Sequence, residues 1–133
     1  MCIFCQIIQG DIPGQVVYED DQVLAILDIS QVTKGHTLVM PKKHVSNLIT
    51  CDEETYMQVM KAVKKLGTHI LKKTGAAGVN VLSNIHEAAG QTVDHFHVHL
   101  IPRYNEQDAV EFTFHESPEQ NLAEVAELIH LDK

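Results

Sequence analysis

Between Asp94 and Arg103 the chain reads DHFHVHLIPR, so that His95, His97 and His99 alternate with Phe96, Val98 and Leu100. A period of two is the mark of an extended strand, whose successive side chains point to opposite faces. Phe96, Val98 and Leu100 are therefore expected to enter a core. The three imidazoles then line the other face, roughly 6.6 Å apart at the backbone, where their ring atoms can converge on one small ligand or on a metal.

Other segments supply partners for such a strand. VVYED and QVLAILD, ending at Asp28, are short and rich in branched residues, a strand pair turned at Asp20-Asp21, and GHTLVMPK adds a strand that stops at Pro41. From Thr50 the period changes to a helical one, with Tyr56, Val59, Met60, Val63, Leu66, Ile70 and Leu71 on a stripe. Thr50 to Glu53 reads as its capping box and Gly75 as its stop, a helix of about six turns that places Cys51 just inside it as a small buried residue. VNVLSN returns to strand character. Ser117, Pro118 and Gln120 announce a last helix carrying Leu122, Val125, Ala126 and Ile129 on one face. Strands, helix, strands, helix with hairpin-like links predict an α+β fold: an antiparallel sheet with one long and one C-terminal helix on it.

The 133 residues fit one domain, which can bury roughly two thirds of its unfolded surface without disulfide or metal support. A formal charge of -8, from 18 acidic and 10 basic residues, excludes a broad electrostatic footprint for a nucleic-acid duplex or an anionic membrane. A mononucleotide remains compatible with it. No run is long and apolar enough to span a bilayer, and MCIFCQIIQGDIP lacks a basic n-region, which predicts a cytoplasmic protein. There Cys2, Cys5 and Cys51 do not form a disulfide framework. Cys2-x-x-Cys5 reads as a metal half-site or a redox pair. A redox motif wants a strand before it, which residue 2 cannot supply; a zinc half-site needs two further ligands.

The loop before the histidines, AAGQT, has small residues whose backbone N–H groups can approach an anion, beside the amide of Gln91 and the hydroxyl of Thr92. Phosphate beside a neutral imidazole is a nucleophilic arrangement. One histidine attacks phosphorus while its neighbours hold oxygens or protonate the leaving group.

HFHVHLI at His95 to Ile101 matches the histidine-triad motif, and the chain resembles the HIT family of nucleotide hydrolases and transferases. CIFCQIIQGDIP, VLAILDISQVTKGHTLVMPKKHV and AGQTVDHFHVHLIPRY look like family blocks in family order, over most of residues 2–104. The resemblance implies a single HIT domain over 1–133, its triad core at about 2–104 and a C-terminal helical extension at 105–133. It makes His97 the nucleophile toward the α-phosphorus of an adenosine 5'-phosphoryl compound, phosphoramidate or mixed anhydride, with a nucleotidyl-histidine hydrolysed to AMP. His99 then contacts phosphate and leaving group, Thr92 and Gln91 the phosphoryl oxygens, and Asn84 the leaving-group side. Asp28 accepts the ribose hydroxyls, and Ile3, Phe4, Ile7, Ile26, Leu27 and Ile29 wall the adenine slot. His44 is taken as the fourth family histidine. In members with an N-terminal Cys-x-x-Cys, the resemblance implies a structural zinc on Cys2, Cys5, His44 and His95, with no redox or organic cofactor.

The same resemblance implies a homodimer. Two rival readings stand beside this one: a diadenosine polyphosphate hydrolase, and a nucleotide-binding or zinc-dependent interaction protein with little catalysis. The chain departs from the phosphoramidase branch in having no tryptophan and about 30 residues beyond the triad. His36, His69, His86, His115 and His130 match no motif and are expected at the surface.

Overall fold

The computed structural model describes residues 2–133. A short helix α1 (Ile3–Ile8) is followed by strands β1 (Val16–Glu19), β2 (Val23–Leu27) and β3 (Thr37–Pro41), then the long helix α2 (Glu53–Thr74). Strand β4 (Gly78–Leu82), a single 3-10 turn (Glu87–Ala89), β5 (Val98–Arg103) and helix α3 (Leu122–Ile129) complete the chain. The five strands lie in the order β1-β2-β3-β5-β4, every neighbouring pair antiparallel. This is the α+β sheet that the alternating and helical segments predict.

The central strands send alternate residues to two different covers. On one face Val23, Ala25, Val39, Phe96, Val98 and Leu100 meet Val59, Val63, Leu66 and Ile70 of α2. On the other, Leu24, Ile26, Leu38 and Met40 meet Phe4, with Cys2, Ile7, Ile8 and Val93 at the margin. The N-terminal CIFCQII is thus a helix laid across the face that also carries the histidines. Its first turn is closed by the Cys2 side chain, which accepts from the Cys5 N–H at 3.2 Å.

The Asp20-Asp21 turn is held by Asp20, whose Oδ1 accepts from the backbone N–H groups of Gln22 and Val23 at 2.8 Å each. Helix α2 begins two residues later than the capping-box reading. Thr50 is bound into the preceding turn, where Asn47 Oδ1 accepts from the N–H groups of Ile49 and Thr50, and Asp52 is the residue that accepts from Thr55 N–H at 3.0 Å. Cys51 therefore precedes the helix and is only half-buried. Gly75 ends α2 in the left-handed region at φ +73°, where a side chain would clash with the following carbonyl. Tyr56, assigned to the buried stripe by period, lies on the outer side of the helix, and Thr55 and Ala62 take the inner positions.

The paired part of the histidine strand starts only at Val98. Upstream, the Phe96 N–H donates to Val45 O at 2.7 Å instead of to a strand neighbour, so His95 to His97 form a run-in that leaves the ladder. Alternation survives there because Phe96 remains buried under α2.

Helix α3 forms behind its N-cap Asn121, but none of its residues is buried. The reading that both helices lie on the sheet fails for this one: residues 111–133 are exposed throughout and run away from the core. Among the described residues no helix is long and apolar enough to cross a membrane.

Leu100 is completely buried between β3, β4 and α2. Leu100→Ala is expected to cost roughly 2–5 kcal/mol of unfolding free energy, measured as a shift in the urea midpoint with little change in slope.

Candidate functional site

Two sites share the α1 face of the sheet, and His95 to His99 supply both. In the first, α1 brings Cys2 and Cys5 against His95 and against His44, three residues beyond the end of β3. Sulfur and nitrogen atoms lie 3.3–3.6 Å apart, the two sulfurs 3.2 Å, and the two Nδ1 atoms 3.2 Å. A tetrahedron built on zinc bond lengths has edges of about 3.3–3.8 Å, so the donor atoms are spaced for such an ion, while a disulfide would need about 2.0 Å. The tautomer fits as well. His95 Nε2 lies 2.8 Å from Pro41 O, an acceptor only, so Nε2 carries the proton and Nδ1 turns its lone pair to the cluster. His95 is wholly buried, and this burial is the main cause that holds its pKa below the ordinary value.

The second site is a cleft of about 250 Å³ lined by Phe4, Ile7, Ile26, Asp28, Thr92 and His97, with Ile3, Leu27, Ile29 and His99 also on its walls. Leu38 and Val93 add to the wall without having been singled out from sequence. Ile29 is fully solvent-exposed, so it forms a rim and not a buried wall. His97 Nδ1 lies 2.7 Å from the carbonyl of His95, which makes Nδ1 the donor and leaves Nε2 with its lone pair. Phe4 packs edge-on against the same ring at 4.9 Å between centroids. Burial lowers the His97 pKa, against the opposing pull of that carbonyl and of Asp28. The ring is therefore a neutral imidazole at pH 7, a nucleophile with a free electron pair.

Two residues at the site went unread in the sequence. His36, expected at the surface, is 4 % exposed and its Nε2 stands 2.9 Å from His99 Nδ1 and 3.7 Å from Asp28 Oδ2. Its Nδ1 is buried without a partner among the described residues. The parity of GHTLVM puts His36 on the side of Leu38 and Met40, but only the β3–β5 pairing makes that the histidine face. Ser83, just past β4, donates to the His97 carbonyl at 2.8 Å and steadies the run-in from the other side; a lone serine after a strand carries no such signal. The remaining unassigned histidines, His69, His86, His115 and His130, are exposed as expected.

Other expected contacts are redirected. Gln91 is used to build its loop: Nε2 donates to Ser46 O and Val93 O at 2.7 and 3.0 Å, and Oε1 accepts from His86 N–H. Asn84 reaches Gly90 O at 3.4 Å, and neither amide lines the cleft. Asp28 spends Oδ1 on the Ser30 N–H at 2.8 Å, a turn cap, and keeps Oδ2 on the His36 side.

His99 has its pKa pushed down to about 4, by burial first and then by His97 and His36, against Asp28. Between its ordinary 6.5 and about 4 the unfolded chain binds a proton that the folded one refuses. Its contribution to stability is thus whole above pH 6.5 and lost as pH falls through that window. His99→Gln is expected to flatten part of the acid-side slope of Tm against pH, read by calorimetry from pH 7 to 4.

The HIT domain matches residues 9–106. The protein named hit of Bacillus subtilis is 53 % identical over 107 residues, covering 80 % of this chain and 74 % of its own. A Schizosaccharomyces pombe protein named adenosine 5'-monophosphoramidase is 42 % identical over 80 % of this chain and 77 % of its own. The crystal structure of a zinc-bound histidine triad family protein from Mycobacterium smegmatis superposes with a TM-score of 0.77 at 37 % identity, over 89 % of this chain and 84 % of that one. With the HIT domain matched over residues 9–106, a stretch that holds all five strands and the three histidines, the chain belongs to the HIT domain family.

Proposed function

We propose that the protein hydrolyses adenosine 5'-phosphoryl compounds, phosphoramidates or mixed anhydrides, through a covalent nucleotide on His97. The observation that carries this is the pairing of His97 Nδ1 with His95 O, which leaves Nε2 as a free electron pair at a cleft with one apolar end and one polar end. Adenine fits the apolar end at Phe4, Ile7 and Ile26, and ribose the end with Asp28, whose Oδ2 remains open to hydroxyls.

In the first step the Nε2 pair forms a P–N bond to the α-phosphorus and the bond to the leaving group breaks. The leaving group takes its proton from His99. The anionic phosphate of a bound substrate favours an imidazolium at His99, with Nδ1–H donated to His36 Nε2, and the departing amine or oxyanion collects the Nε2 proton, leaving a neutral ring. Water then attacks phosphorus, returns a proton to His99, and releases AMP as the electron pair goes back to His97. Thr92, at the cleft wall, supplies a hydroxyl to the phosphoryl oxygens. Gln91 and Asn84 act by shaping the loop that holds Thr92. The name of the fission-yeast relative supports this substrate class.

The donor set of Cys2, Cys5, His44 and His95 is the one zinc takes in closed, structural sites. Zinc held there would cross-link α1 to the sheet and leave the chemistry to His97 and His99. We take the enzyme to work as a cytoplasmic homodimer.

His97→Ala is expected to lower AMP release from adenosine 5'-phosphoramidate by a factor on the order of 10⁴ or more, with AMP binding and metal content unchanged. Equal rates in the two proteins would sink the enzymatic reading. The metal assignment has its own measurement: elemental analysis should give about one zinc per chain, and Cys5→Ser should abolish it. The same substitution should weaken AMP binding, because Phe4 and Ile7 rest on the helix that Cys5 anchors.

A further inference from the structure

One residue is held in a backbone conformation that its own side chain opposes. His86, which opens the 3-10 turn Glu87–Ala89, has φ 71° and ψ 159°. Every other positive φ among the described residues belongs to a glycine. That corner of conformational space is entered almost only by glycine, because a β-carbon there crowds the flanking peptide groups. The strain at His86 is therefore a consequence of its having a side chain at all.

The backbone itself is firmly fastened. The His86 N–H donates to Gln91 Oε1 at 2.9 Å, and its carbonyl accepts from the N–H groups of Ala89 and Gln91 at 3.1 Å each. A glycine at this position would keep all three bonds. Nothing within the chain compensates for the ring: it is exposed, it does not cap the turn it opens, and it forms no side-chain hydrogen bond among the described residues. A strained residue without an internal contact points outward, to a ligand.

Its place decides which ligand. The bonds to Gln91 tie His86 beside Thr92, the residue that brings this loop to the cleft wall with His97 and His99. With the nucleoside at Phe4, Ile26 and Asp28, a group displaced in line by His97 departs at the Thr92 end. Residues 83–91 contain no lysine or arginine. Their other side-chain donors are already spent, Ser83 on His97 O, Asn84 on Gly90 O and Gln91 on Ser46 O and Val93 O. His86 keeps the one uncommitted N–H beside the exit.

We infer that His86 is a specificity-determining residue, whose exposed imidazole N–H donates to an oxyanion in the leaving group of the bound nucleotide. The cleft then prefers a mixed anhydride, with a sulfate, phosphate or carboxylate to expel, over a phosphoramidate that expels ammonia. The inference rests on the nucleotide reading of the cleft and narrows its substrate class.

Binding to the full chain, followed by calorimetry, tests this without requiring turnover. The probes are AMP, which ends at the α-phosphate, and α,β-methylene-ADP, which carries a non-hydrolysable oxyanion in the place of the leaving group. His86→Ala and His86→Gly are both expected to weaken α,β-methylene-ADP by about 10-fold or more beyond any effect on AMP. His86→Gly should also melt about 3 °C or more above His86→Ala, since only glycine relieves the backbone. In rates, His86→Ala should lower kcat/KM for adenosine 5'-phosphosulfate or acetyl adenylate by about 10-fold relative to adenosine 5'-phosphoramidate, and the substrate that falls further tells sulfate from carboxylate. Equal losses for both probes would make His86 a loop-shaping residue and overturn the assignment. So would a His86→Gly protein no more stable than His86→Ala. Selective binding without turnover would leave the assignment standing and remove the hydrolase reading, while a chain that binds neither nucleotide would overturn both.

Discussion

The burial of Phe96, Val98 and Leu100 under α2 is the constraint on which the site depends. Those side chains are held so completely that a register slip of one residue would put three imidazoles into an apolar core and three hydrophobes into the polar sites under α1. With that slip forbidden, the histidine face has a single orientation. The other strands follow the same division: Val39 goes under α2, while Leu38 and Met40 stay on the α1 side with His36. The two covers of the sheet thus have different tasks. Helix α2 supplies the rigid floor, and the N-terminal segment closes the functional face.

Three neighbouring imidazoles do different things because each spends a different nitrogen on the protein. His95 gives Nε2 to Pro41 O, so its free Nδ1 looks toward the two cysteines. His97 gives Nδ1 to His95 O, so its free Nε2 looks the opposite way, into the cleft. His99 shares Nδ1 with His36. A strand with identical side chains at i, i+2 and i+4 is divided into a ring that faces the cysteines, a ring that faces the cleft and a ring paired with His36, and the roles proposed for them rest on that division. Burial lowers all three pKa values, which keeps the rings neutral and prevents three like charges from meeting within about 5 Å.

The cysteine cluster joins these two roles physically. Cys5 sits in the same short helix as Phe4 and Ile7 and Cys2 is its N-cap, so whatever holds the sulfurs also sets the apolar end of the cleft. A six-residue helix would otherwise have only Phe4 buried on the sheet. Residues far apart in sequence are therefore coupled: His44 to the cleft wall through Cys5, and His36 to the triad through His99.

Much of this was legible in the chain itself, and for physical reasons that are local. A period of two in DHFHVHLIPR, a period near 3.6 from Tyr56 to Leu71, a turn-forming Asp20 and a stop at Gly75 are statements about backbone geometry that need no distant partner. Side-chain chemistry alone made Cys2-x-x-Cys5 a half-site, and it was the resemblance that joined His44 and His95 to it. Where the first turn of α2 begins was decided by Asn47, which takes the Ile49 and Thr50 N–H groups into the preceding turn, and by Asp52, which accepts from the Thr55 N–H. Only strand pairing could turn His36 from a surface histidine into a buried partner of His99, and only loop packing could turn Gln91 from a phosphate contact into a brace. The amphipathic face of α3 was plain from its spacing, but whether it meets its own sheet was not. An amphipathic pattern specifies that a face must be covered, while the path of residues 105–121 decides by what, and here that path leads away from the chain's own core.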